Sequence, residues 1–169
     1  MAEYISSDTN IWIDFANISS VEVPFKLDCV YLMYEETFNR EVLRPSGIEK
    51  QLIDLGIHLI DIDFEEYELA ELYSDKYHKY MLSKDDCVAM AIAKTRNIAL
   101  MTGDGNLRKA AIKEGVNVLG TIGVLDRAME EGKISKKRYV DLLIQLRDYP
   151  SSRQPKDEIN LRISRYSEG

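Results

Sequence analysis

Four carboxylates in this chain stand where a strand-like pattern ends or a helix-like one begins. They are Asp8 in Ser7-Asp8-Thr9-Asn10, Glu36 in Tyr34-Glu35-Glu36-Thr37, Asp86 at the head of Asp86-Cys87-Val88-Ala89-Met90-Ala91-Ile92-Ala93, and Asp104 in Thr102-Gly103-Asp104-Gly105. Each has an ordinary explanation. Asp8 fits a helix cap and Asp104 a turn residue. Ser83-Lys84-Asp85-Asp86 fits a capping box, and Glu36 fits a solvated helix charge. Crowded into one crevice, the same carboxylates would raise one another's proton affinity unless cations lay between them. Mg²⁺ or Mn²⁺ would suit such a crevice, because hard ions take oxygen ligands and keep several waters. An ion held there activates water and offsets the charge that builds on a phosphate during in-line displacement. No side-chain nucleophile is then needed. The two histidines, His58 and His78, accordingly belong to no visible Ser-His-Asp or Cys-His set.

The elements that must position these groups can be read in outline. Residues 3–8 are strand-like, and Ile11, Trp12, Phe15 and Ile18 give the one-sided stripe of a helix over about 10–18. Asp14 borders that stripe and reads as structural. Val21–Leu27, with Pro24 inside it, reads as a connection and short strand, and Asp28–Arg40 as a helix. Arg44-Pro45-Ser46-Gly47 is loop punctuation. A helix over Ile48–Leu55, ended by Gly56, leads to a strand at 57–62. Residues 64–81 suggest a surface helix whose tyrosines line a buried edge. The run from Asp86 is apolar nearly all round, so its helix must be buried. A central strand at 97–102, a helix over about 107–113 and a strand at 115–119 follow. About two helices fill the chain from Thr121 to Tyr149, and a break at Pro150–Pro155 precedes a charged tail. This alternation predicts an α/β fold, with a parallel sheet covered by helices on both faces. If the first and fourth strands are neighbours across a switch in strand order, Asp8 and Asp104 face one crevice.

Composition narrows the options. At 169 residues with 45% hydrophobic content the chain is one ordered domain with a sizeable core. A net charge of -7 weighs against a general nucleic-acid binder, though bound divalent ions would neutralise an acidic pocket. Cys29 and Cys87 have no metal-type spacing and read as reduced, mostly buried thiols rather than zinc ligands. No apolar run reaches the roughly 18 residues of a membrane span, and the start lacks a signal-peptide pattern. The expectation is a cytoplasmic protein.

Asp8-Thr9-Asn10 after the first strand, Glu36, Asp86 heading its apolar helix, and Thr102-Gly103-Asp104 together resemble the PIN-domain ribonucleases. Many of these are the virulence-associated protein C type toxins of toxin–antitoxin pairs. The likeness covers residues 3 to 125. Leu119-Gly120-Thr121-Ile122-Gly123-Val124-Leu125 with the helical end looks like a branch carrying a C-terminal helical extension, dividing the chain into a 1–125 core and a 126–169 extension. The resemblance implies a three-layer α/β/α PIN-like sandwich. It further implies that Asp8, Glu36, Asp86 and Asp104 hold Mg²⁺ or Mn²⁺, directly or through water, to cleave RNA, with Asn10 and Thr102 orienting ligands or the attacking water. It also implies homodimers and a small antitoxin protein as partner. Glu35 beside Glu36 and Asp85 beside Asp86 leave the register of two ligands open, and the apolar surroundings favour the second of each pair. Ser6-Ser7 stands where the first strand would more usually end in apolar residues.

Rival readings fit less well. A phosphorylated receiver domain needs an acidic pair before its first helix and a Lys after its last strand, whereas Ser6-Ser7-Asp8 offers one Asp and residues 116–123 hold no Lys. A two-Asp phosphatase would want Asp where Asn10 stands. The alternative from another class is a catalytically silent PIN-like module that binds RNA or protein.

Overall fold

A computed structural model describes residues 3–42, 46–150 and 152–167. Arg44 and Pro45 of the loop punctuation, and Ser151 of the break after Pro150, lie outside the described residues. The chain runs β1 (Glu3–Ser7), α1 (Thr9–Asn17), β2 (Cys29–Tyr34), α2 (Glu35–Glu41), α3 (Ile48–Leu55), β3 (His58–Ile60) and α4 (Phe64–Lys76). It continues through α5 (Lys84–Arg96), β4 (Ala99–Met101), α6 (Gly105–Lys113), β5 (Val118–Leu119), α7 (Thr121–Glu130), α8 (Lys136–Asp148) and α9 (Lys156–Ser167).

All five strands are parallel, in the order β3-β2-β1-β4-β5. Each face of the sheet has its own core, because successive side chains on a strand point to opposite sides. Ile5 and Met101 join Trp12, Phe15, Leu52 and Leu143 on one face, while Leu100 joins Tyr73, Met90 and Leu107 on the other. The result is the three-layer α/β/α arrangement. α5 is buried continuously from Asp85 to Ala93, as a helix apolar on all sides must be.

Ser6 and Ser7 are buried in β1, and burial of a hydroxyl is tolerable only with a partner. Ser6 donates to the Ala89 carbonyl at 2.8 Å and Ser7 to the Leu32 carbonyl at 3.0 Å. The two serines therefore tie the central strand to α5 and β2.

The second strand lies later than its expected place. Val21–Leu27 is irregular with a 3-10 turn at Pro24–Lys26, and β2 occupies Cys29–Tyr34, within the stretch read as helical. The turn is held by aromatic packing: Phe25 stacks on Trp12 with ring centroids 5.2 Å apart, and Tyr31 meets both rings edge-on. The charged tail is helical, and α9 places Ile159 in the first core with Leu142 and Leu146. Asp126 of α7 clamps it, accepting from Arg162 at 3.0 Å and from the Tyr139 hydroxyl of α8. Both cysteines are free thiols. Among the described residues no helix is long and apolar enough to cross a membrane.

Candidate active site

The strand order reverses between β1 and β4: β2 and β3 extend the sheet to one side of β1, and the chain then crosses back to lay β4 and β5 on the other. Connections leaving the two strands diverge there and open a crevice at their carboxyl ends. Asp8 is the first residue past β1 and is fixed by its amide, which donates to the Met101 carbonyl at 3.0 Å. It occupies the N-cap position of α1 but makes no side-chain capping bond. Its Oδ2 instead accepts from Thr102 Oγ1 at 2.9 Å and from Asn10 Nδ2 at 3.2 Å. The side chain is 2% exposed. Burial, reinforced by the charge of Asp86, pushes its pKa up to about 7.

Thr102 and Asp104 come from the other side of the crevice. Thr102 Oγ1 accepts from the Asp104 amide at 3.0 Å, so one hydroxyl connects the two acidic residues. Asp104 caps α6, its Oδ1 accepting from the amides of Asn106 at 2.8 Å and Leu107 at 3.3 Å. Asp86 forms the capping box expected for Ser83, with its Oδ2 accepting from the Ser83 amide at 2.9 Å. Burial, together with the charges of Asp104 and Asp85, raises the proton affinity of Asp86. In each of Asp8, Asp86 and Asp104 one carboxyl oxygen holds local structure. The second has no side-chain partner among the described residues.

α2 contributes differently from the expectation. Because the helix begins at Glu35, Glu36 lies in its first turn, exposed and accepting from the Tyr34 hydroxyl at 2.8 Å. Among the described residues it makes no hydrogen bond with Asp8, Asp86 or Asp104. The carboxylate that α2 turns inward is Glu41, whose Oε1 accepts from Thr9 Oγ1 at 3.1 Å. Burial and the neighbouring charges of Asp85 and Asp86 raise its proton affinity. Both members of the Asp85-Asp86 pair are buried. Asp85 is occupied by Arg40 and by Thr37, which donates at 2.6 Å. A cavity of about 10 Å³ beside Ser7, Asp8, Thr37 and Asp85 is at the lower limit for one water.

A further, half-buried carboxylate, Asp14 on α1, accepts from Thr121 Oγ1 at 2.8 Å and from Gln154 Nε2 at 2.9 Å. Burial lifts its pKa to about 6. Its Oδ2 lies 2.3 Å from where a Cβ on Gly103 would stand. Glycine is thus required for the turn carrying Thr102 and Asp104 to pass α1. Beside it a groove of about 470 Å³ runs between Asn10, Asn17, Asp104, Asn106 and the C-terminal Arg153 and Gln154.

This donor set suits a hard divalent cation: it consists of carboxylate oxygens that repel one another and hold protons too tightly when no cation is near. Among the described residues no three His, Cys, Asp or Glu side chains are arranged to enclose an ion alone. Mg²⁺ commonly binds through one or two carboxylates and retains waters for its other positions.

A family model described as a PIN domain matches residues 4–168 of the chain. No curated protein and no solved structure matches it. PIN domains are generally nucleases and typically use divalent metal. With nearly its whole length matched and the acidic residues gathered at the switch point of its parallel sheet, the chain belongs to the PIN domain family.

Proposed function

We propose that this protein is a divalent-metal-dependent endoribonuclease that hydrolyses RNA phosphodiester bonds. The observation that carries the reading is Asp8, buried at the end of the central strand with Thr102 and Asn10 on one oxygen and the charge of Asp86 close by. Asp8, Asp86 and Asp104 are the proposed Mg²⁺ or Mn²⁺ ligands, in part through water. Glu41 takes the role expected of Glu36. A bound metal would supply an activated water and charge neutralisation at phosphate, and Thr102 and Asn10 hold the Asp8 carboxylate in place. Incubation of the protein with RNA should give internal cuts with Mg²⁺ or Mn²⁺ and none in EDTA. An Asp8→Asn, Asp104→Asn double variant that cuts as fast as wild type would overturn the proposal.

The toxin role, a small antitoxin partner, a homodimer and a cytoplasmic location extend this reading by resemblance to the virulence-associated protein C type. Growth arrest on expression, relieved by the product of a neighbouring small open reading frame, is the corresponding test. The alternative is a PIN-like module that binds RNA or protein without cutting. RNA binding that is unchanged by EDTA, with no cutting under any metal, would select it.

A further inference from the structure

The groove beside Asp104 is built from residues far apart in the chain, and one wall belongs to the segment between α8 and α9. That wall is anchored. Gln154 reaches the half-buried Asp14, which also receives Thr121 at the start of α7 and crowds against Gly103. The remaining lining is suited to a polar chain: Asn10, Asn17 and Asn106 offer amides that both donate and accept. The acidic residues beside them would repel a polyanion. Among the described residues Arg153 is the only basic side chain that lines the groove, and it is exposed and has no carboxylate partner. Other cations lie elsewhere or are engaged. Arg108 leans over Gly120, and Arg138 pairs with Glu22.

We propose that Arg153 and Gln154 form a wall of the substrate groove and that Arg153 binds a backbone phosphate of single-stranded RNA beside the acidic pocket. This deepens the ribonuclease reading and rests on it for the identity of the ligand. A guanidinium presents a planar fork of donors that matches phosphate oxygens, and a phosphate contact sets the position of a strand without selecting its sequence. Asp14 and Gln154 act as positioning residues: they hold the wall at the distance the groove requires.

The test separates binding from cutting. Binding of a fluorescently labelled pool of random-sequence single-stranded RNA 30-mers is read by anisotropy in EDTA, for wild type, Arg153→Gln and Arg153→Lys. Arg153→Gln is expected to weaken binding about tenfold, as loss of one charged hydrogen-bonded contact would. It should also reduce the slope of log affinity against log salt by about 0.7, the loss of one phosphate contact. Arg153→Lys should recover much of the affinity and all of the salt slope, and all three proteins should melt together. Equal affinity and slope for wild type and Arg153→Gln, or no binding by wild type, would overturn the proposal. Cutting is measured separately with Mn²⁺. If wild type binds and never cuts, the nuclease reading fails, yet a tenfold loss in Arg153→Gln still establishes the phosphate contact.

Discussion

Thr102 Oγ1 donates to Asp8 Oδ2 at 2.9 Å and accepts from the Asp104 amide at 3.0 Å, so one hydroxyl joins the ends of two neighbouring strands across the switch point. Replacing it with the near-isosteric Val leaves a buried carboxyl oxygen and a backbone amide each short of a partner. Thr102→Val should cost about 1–3 kcal/mol of stability by the usual penalty for unsatisfied buried groups, read from urea unfolding. It should also raise the Asp8 pKa further, since that bond favours the charged form. The alkaline shift should appear in the pH profile of RNA cutting.

Asp8 makes the metal-free fold sensitive to pH in a definite direction. Its carboxyl binds a proton more tightly folded, at about 7, than unfolded, at 3.8. The stabilisation from protonating the folded state is therefore complete below about pH 4 and is lost as pH rises through 7. In EDTA, the melting temperature of wild type should exceed that of Asp8→Asn less and less as pH rises from 5 to 8, or fall below it. At pH 8 Asp8→Asn should melt higher by about 2–4 °C for each kcal/mol of relieved burial. Mg²⁺ or Mn²⁺ should raise the wild-type melting temperature at pH 8 and leave Asp8→Asn nearly unchanged.

Glu41 and Glu36 share a helix and differ in environment, so their substitutions should diverge. Glu41→Gln is expected to lower the rate of RNA cutting by about 10²-fold or more, in the range typical for loss of a positioned acid, base or ligand. Glu36→Gln should stay within about twofold, as solvated surface changes do. Rates measured at saturating Mn²⁺ decide between them; equal losses would return Glu36 to the site.

Gly103→Ala should be destabilising through Asp14. The new Cβ would meet Asp14 Oδ2 at 2.3 Å, and that oxygen cannot withdraw without releasing Thr121 and Gln154. An expected cost of about 1–3 kcal/mol follows from overpacking. Adding Asp14→Ala removes the clash, so the double variant should be more stable than the sum of the two single costs by at least about 0.5 kcal/mol. Chemical unfolding of the four proteins measures this coupling.

Much of this arrangement was legible from residue patterns because local signals agreed with the global fold. The strand-to-helix change at Asp8, the uniformly apolar helix after Asp86 and the Thr102-Gly103-Asp104 turn all occur where they were expected. Cys29–Tyr34 was not legible as a strand. It lies between neighbours on both sides in the sheet, and its mostly apolar run shows no alternation to separate strand from helix. α2 therefore begins only at Glu35, leaving Glu36 exposed while Glu41 is the carboxylate of this helix that meets Thr9. An inward Glu41 could have been found from Phe38 and Val42, whose three- and four-residue spacing marks the buried side of the helix next to it. α9 carried a readable stripe at Ile159, Ile163 and Tyr166, but its many charges concealed it. Asp14 as an anchor for residue 154 had no local signal at all, because the contact spans 140 positions of sequence.

The anchoring of Gln154 by Asp14 also bears on the order in which a growing polypeptide becomes complete. Asp8, Asp86 and Asp104 are all synthesised before Gln154 and Ile159, so a nascent chain carries every proposed metal ligand while one groove wall is still missing. Only after this stretch has emerged from the ribosome and Gln154 has met Asp14 can that wall be held in place.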